Sequence, residues 1–166
     1  MANLIIPPKT GAASGSLKSL EPGTRTDALR KATAGLMSPN RFSKLTIVIV
    51  DDNPDVRRHV GTYLGHLGAN VAVAENAIEG LEAVKTYRPN LVLSDISMPG
   101  RDGFGLLSDI QALGPDDGGG VPVIAMTALV THVDRARILN AGFKAFLPKP
   151  FTPETLMKTI LAVLNA

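Results

Sequence analysis

The sequence predicts an α/β protein: an open, doubly wound sheet of five parallel strands in the order 2-1-3-4-5, covered by five helices. Three observations carry that expectation. Short apolar runs recur, among them Ile47-Val48-Ile49-Val50, Leu91-Val92-Leu93 and Val123-Ile124-Ala125-Met126, and near-continuous runs of this kind suit strands buried on both faces. Segments with apolar residues at helical spacing lie between them, and strand-helix alternation favours parallel pairing through right-handed crossovers. The strands also end in residues that can do chemistry: Asp51-Asp52, Asp95, Thr127 and, after the last strand, Lys149. Ligands of open parallel sheets bind outside the carboxyl ends of the strands, at the switch point between strands one and three.

In chain order, Leu45 to Val50 is the first strand. Asn53-Pro54 starts a helix, with Asn as cap and Pro at the first helical position; Val56, Val60, Leu64 and Leu67 mark its inner face, and Gly68 closes it. Asn70 to Ala74 is the second strand. Asn76 with Glu79 resembles a capping box, and Ile78, Leu81 and Val84 are expected to form the buried stripe of the second helix. Leu91 to Asp95 is the third strand, and the turn at Pro99-Gly100 puts Asp95 at its carboxyl end. Phe104, Leu107 and Ile110 point inward from a third helix. The glycines between Gly114 and Gly120 follow that helix rather than open one, unlike a phosphate-cradling loop. Val121 to Met126 is the fourth strand, and Thr131 with Asp134 caps a helix through Asn140, stopped by Gly142. The fifth strand reaches Leu147; Thr152-Pro153 then starts a last helix buried through Leu156, Ile160 and Val163.

Composition limits what such a sheet can do. The 166 residues include no cysteine, which excludes disulfides, thiolate metal sites and a cysteine nucleophile. Residues 1–44 carry seven Lys and Arg against two acidic residues, a net +5, and the remainder carries ten against thirteen, a net −3. The basic overall balance therefore belongs to the leading segment, and direct nucleic-acid binding by the domain is not expected. That segment is rich in Gly, Ser, Thr, Pro and Ala and is expected to be a mostly disordered basic tail, residues 1–44, with one weak helical window from Thr26 to Met37. The domain then runs over 45–166. The start of the chain lacks a signal peptide and no stretch is long enough to span a bilayer, so a cytoplasmic protein without membrane contact is expected.

Carboxylates crowded at one rim repel, and a hard divalent ion is the simplest remedy. Magnesium prefers oxygen ligands and suits Asp51, Asp52 and Asp95 with a backbone carbonyl from the turn after Asp95; no histidine or cysteine falls near this edge to favour zinc. A carboxylate beside such an ion, with the Lys149 ammonium and the Thr127 hydroxyl opposite, can act as nucleophile toward a phosphoryl group. Each residue alone has a plainer reading. Aspartates after strands are common caps, Thr127 alone suits a strand-end hydroxyl, Lys149 a surface charge and Phe146 a core aromatic. Their shared rim is what points to chemistry. His59, His66 and His132 sit in helical or loop segments and are read as surface or packing residues.

Val50-Asp51-Asp52-Asn53, Ser94-Asp95 with Met98-Pro99-Gly100 and Asp102-Gly103, Met126-Thr127-Ala128, and Phe146 with Lys149-Pro150-Phe151 follow one another over residues 45–166. In that order they resemble the receiver domain of bacterial two-component response regulators, a flavodoxin-like fold. The resemblance implies Asp95 as phosphoacceptor and Asp51, Asp52, Asp95 and the Ser97 backbone carbonyl as ligands of Mg2+. Thr127 and Lys149 would contact the phosphoryl group, Thr127 and Phe146 would form the switch, and the Lys149-Pro150 bond would be cis. Phe146 stands where the family often has Tyr, so its coupling is expected to rest on packing. Ser97 and Leu129 would tune the phosphorylated lifetime. The implied donor is a sensor histidine kinase or a histidine phosphotransfer protein, and the implied output a target protein bound on the face of helix four, strand five and helix five. With no output domain expected after the last helix, the leading reading is a stand-alone phosphoacceptor in a phosphorelay rather than an enzyme. A receiver-like scaffold that binds without phosphorylation is the alternative. A magnesium phosphohydrolase fits less well, because Asp51-Asp52-Asn53 lacks the spaced aspartate pair such enzymes use.

Overall fold

The apolar runs and cap signals become ordered elements in the protein's structure, a computed structural model that describes residues 41–128 and 131–166. Five strands, β1 (Thr46–Val50), β2 (Asn70–Ala74), β3 (Leu91–Asp95), β4 (Val123–Thr127) and β5 (Ala145–Pro148), form one parallel sheet in the order β2-β1-β3-β4-β5. Among the described residues five α-helices alternate with them: α1 (Pro54–His66), α2 (Ala77–Tyr87), α3 (Gly103–Gln111), α4 (His132–Ala141) and α5 (Pro153–Leu164). Fold class and strand order are those the sequence predicts. The expected tail up to residue 40, with its Thr26 to Met37 window, and Leu129 lie outside the described residues.

Strand side chains alternate between faces, and here both faces are apolar. Ile47, Ile49, Leu91, Leu93, Ile124 and Met126 pack with Val60 and Leu64 of α1 and Leu156 and Ile160 of α5. Val48, Val50, Val92, Val123 and Ala125 pack with α2, α3 and α4 through Val84, Leu106 and Ile138. The alternation reaches the strand ends: two residues beyond Ile49 and Leu93 on the α1/α5 side come Asp51 and Asp95. Thr127 follows Ala125 on the opposite parity.

Helix starts follow the cap residues read from sequence, except that the box expected at Asn76 is half formed: the Glu79 carboxylate accepts from the Glu75 N–H rather than from that of Asn76. Asn53, Asn76 and Thr152 each accept a backbone N–H of the first turn, and Thr131 with Asp134 completes a capping box. The segment from Pro115 to Asp117 is a short 3-10 turn closed by Gly118 at φ +95°. No helix among the described residues is long and apolar enough to cross a membrane.

Two packing details differ from expectation. The buried face of α2 is Ala77, Gly80, Ala83 and Val84, whereas Ile78 is 72% exposed. The helix lies too close to β1 for large residues: a Cβ on Gly80 would stand 2.8 Å from a Val50 methyl group. Small side chains therefore take the inner stripe. Phe42, from the basic leading segment, is only 1% exposed; it packs in the α1/α5 layer and donates its N–H to the Leu67 carbonyl at 2.9 Å.

Candidate functional site

β1 and β3 are paired neighbours, so their carboxyl ends bring Asp51, Asp52 and Asp95 side by side. Each offers a carboxylate oxygen within 4.8 Å of the other two; Asp51 and Asp95 are buried and Asp52 is exposed. Lys149, 98 residues from Asp51 in sequence, closes the group from the end of β5. Its Nζ donates to Asp51 Oδ2 at 2.7 Å and lies 3.2 Å from Asp95 Oδ1. The Lys149-Pro150 bond is cis, and the Lys149 N–H donates to the Thr127 carbonyl at 2.7 Å.

Burial decides the electrostatics here. Loss of solvation is the largest influence on Asp95 and raises its pKa above the ordinary carboxylate value; Lys149 opposes this, and Asp51 adds to it. Burial pulls the Lys149 pKa down, but hydrogen bonds and charge from Asp51 and Asp95 outweigh it, and the net shift is upward. One ammonium bridges two of the three carboxylates, which leaves a negative pocket suited to a hard cation. The donor set is all oxygen, two of the three carboxylates are fixed in the fold, and one side opens to solvent through Asp52. That combination fits magnesium, which binds few carboxylates and retains waters.

The loops around the pocket are braced. Asn53 N–H donates to Asp51 Oδ1 at 2.9 Å, and the Ser97 N–H bonds to the Asp95 carboxylate. Arg101 forks onto Asp109 of α3 with contacts of 2.5 and 2.6 Å, fastening the turn after β3. Gly103, which donates its N–H to the Ile96 carbonyl, has no room for a side chain: a Cβ there would strike the Asp95 carbonyl and lie 2.8 Å from the Ile96 Cα. Because both obstacles are backbone, we expect Gly103→Ala to cost about 2 kcal/mol, read as a lower midpoint in urea with an unchanged slope.

Thr127 is fully buried at the end of β4, whose register pairs Met126 with Asp95. It therefore stands one residue beyond the phosphoacceptor candidate's neighbour. Phe146 is half-buried on β5, opposite Ala125, and lies under Arg135 of α4, with the guanidinium carbon 4.7 Å from its ring centre. The sequence expectation of coupling by packing alone omits this cation–π contact. His59 comes nearer the rim than its place on α1 suggests, lining a shallow groove with Val56, Lys149 and Phe151. Sequence reasoning also passed over Arg57. Its Nη1 donates to the Asp51 carbonyl at 2.6 Å. The signal was present, since Arg57 continues the inner stripe of Val60 and Leu64 at i+3 and i+7. A cavity of about 810 Å³ lies elsewhere, lined by Leu139, Lys144, Phe146, Lys158 and Val163 of the α4-β5-α5 face.

Known proteins place this geometry. Residues 47–161 match the sequence profile of the response regulator receiver domain. A 14.6 kDa protein of Leptolyngbya boryana, described as uncharacterized, is 37% identical over 119 residues, covering 72% of this chain and 89% of that protein. The response regulator MprA of a Mycobacterium species (strain KMS) is 32% identical over 119 residues, covering 72% of this chain and 50% of MprA, so this chain spans about half the length of that relative. The receiver domain of a sensor histidine kinase from Pseudomonas aeruginosa PAO1 superposes with a TM-score of 0.66 at 29% identity, covering 74% of this chain and 98% of that domain; its crystal structure has a magnesium ion coordinated in the active-site cleft. With a family match over most of its length, the same strand order and an acidic pocket at the β1/β3 switch point, the chain belongs to the response regulator receiver family.

Proposed function

We propose that this receiver domain takes a phosphoryl group from a phosphohistidine onto Asp95 and alters partner binding as a result. Receiver domains are the phosphoacceptor modules of two-component signalling, and the reading for this chain is carried by one observation: Asp95, at a buried strand end, lies 3.2 Å from the Lys149 ammonium and within 4.8 Å of two further carboxylates. A carboxylate oxygen of Asp95 attacks phosphorus, the O–P bond forms as the N–P bond to imidazole breaks, and the imidazole leaves with the electron pair, its other ring nitrogen already carrying a proton. Lys149 offsets charge on the transferring oxygens, and the Thr127 hydroxyl donates a hydrogen bond to one of them. Asp51, Asp52, Asp95 and the Ser97 carbonyl would hold Mg2+, which when bound supplies positive charge to the phosphoryl oxygens. The product is an aspartyl phosphate.

Phosphorylation adds roughly −1.5 to −2 charge at the rim. Thr127, drawn toward it, opens space on the side of the sheet where Phe146 packs, and the ring follows. The α4-β5-α5 face, with its groove, its 47% exposed Leu139 and Phe146 at its edge, is the surface a target protein would read. A tenfold shift in population needs about 1.4 kcal/mol, within reach of one hydrogen bond and one repacked ring.

Intact-mass measurement after incubation with phosphoramidate tests the reading. We expect one added phosphoryl group per chain, dependent on Mg2+ and removed by hydroxylamine, as an acyl phosphate should be. Uptake without any divalent ion, or a hydroxylamine-resistant product, overturns it. If Asp95→Asn leaves partner binding unchanged, the phosphorylation-independent scaffold takes its place.

A further inference from the structure

Asp51 is gripped from every side that the fold offers. Its N–H donates to the Ala74 carbonyl, one carboxylate oxygen accepts from Asn53 N–H and the other from Lys149, and its carbonyl accepts from Arg57 Nη1 at 2.6 Å. Asp52 differs: among the described residues no hydrogen bond or ion pair holds its exposed side chain. The peptide that carries it sets where its Cα–Cβ bond starts, and the oxygen of the Asp51-Asp52 peptide is the atom Arg57 holds. The Arg57 side chain is 17% exposed, and its other nitrogen, Nη2, lies 3.9 Å from Glu75 in the turn after β2. A nearly buried guanidinium thus ties α1 to the loop that bears two of the three acidic groups.

We propose that Arg57 is a positioning residue for the divalent-ion site, fixing the Asp51-Asp52 peptide so that the Asp52 carboxylate stands ready for the cation. This inference rests on the divalent-ion site of the phosphoacceptor reading above, and assigns to α1 a part in it. Charge alone predicts the opposite effect. A cation this close to the acidic group repels a divalent ion, so removing it should tighten binding if charge were its whole contribution. Positioning predicts weaker binding, because the freed peptide must be ordered by the ion itself. The sign of the change separates the two roles.

The experiment titrates Mg2+ calorimetrically into the full chain and its Arg57→Gln and Arg57→Lys variants, and follows amide hydrogen exchange in metal-free protein. We expect Arg57→Gln to weaken Mg2+ binding about tenfold and to speed exchange of the Asn53 amide, which is bonded to Asp51. Arg57→Lys, which keeps the charge but has a single donor head, should fall between, about threefold weaker. Thermal unfolding shows whether each variant folds; should Arg57→Gln not fold, the Lys variant decides. Unchanged or tighter Mg2+ binding in the folded variants overturns the proposal, as does absence of Mg2+ binding by the wild type. Wild-type phosphoryl uptake with no Arg57 effect on Mg2+ sinks this inference alone. An Arg57 effect on Mg2+ and on exchange, with no uptake by the wild type, sinks the phosphoacceptor reading and leaves this one standing.

Discussion

Replacing Asp95 by Asn should abolish phosphoryl uptake and, in metal-free protein, raise the melting temperature. The first effect follows from chemistry: a neutral amide oxygen is a far weaker nucleophile than a carboxylate, and uptake should drop by more than about a hundredfold, below detection by intact mass. The second follows from the pocket. Asp95 is 5% exposed, and its pKa is raised, chiefly by burial, against a partial counterbalance from Lys149. A raised carboxyl pKa means the folded state prefers the protonated form. Between the ordinary value near 3.8 and the higher folded value, the native protein binds more protons than the unfolded chain, so this group makes stability fall as pH rises through that window. Asn mimics the uncharged acid and removes that slope. Saturating Mg2+ should reverse the ranking, because the ion favours the ionised wild-type site. Melting curves at acid and neutral pH, with and without Mg2+, read all three effects. A variant less stable than wild type in the absence of metal would show that Asp95 is satisfied by its protein partners alone.

The contrast between what the chain discloses and what it hides follows from range. Strand ends are legible because a run such as Leu91-Val92-Leu93 fixes parity, and Pro99-Gly100 fixes where the run must stop, so Asp95 has one place to go. Lys149 is legible for the same reason despite its distance from Asp51, because parallel order places all strand ends on one rim. Interhelical depth is not written so locally. Ile78 looks like a core residue by hydrophobicity, yet the inner face of α2 is Ala77, Gly80, Ala83 and Val84, and at Gly80 the room is set by Val50, far from it in sequence. Phe42 was concealed by its company, a core aromatic among Arg41, Ser43 and Lys44. Arg57 and Arg135 were hidden differently. A guanidinium on a helix reads as surface charge until the structure shows a carbonyl oxygen or a ring in front of it.

Lys149→Met should be the most destabilising single change at the rim. The native ammonium answers Asp51, which has no solvent exposure, and Asp95, which has almost none. Methionine keeps the stem's volume and removes the charge, leaving two buried carboxylates to repel each other without the ammonium that bridges them. Removing one partner of a buried pair costs about 3 kcal/mol or more, and for a domain of this size that lowers the melting temperature by roughly 10 °C. The pH range follows from sign. The Lys149 pKa is raised by Asp51 and Asp95 in excess of what burial subtracts, so its contribution is complete below the ordinary value of 10.5 and is lost only as pH climbs through the higher folded value. The defect should therefore persist undiminished from neutral pH to about pH 10 and shrink above it. Mg2+ should restore part of the stability, since the ion supplies positive charge to the same oxygens, but phosphoryl uptake should stay about a hundredfold down for want of the donor. Lys149→Arg, carrying charge on a longer fork, should recover more stability than uptake. A methionine variant as stable as wild type without metal would mean that the two carboxylates are not held by this lysine.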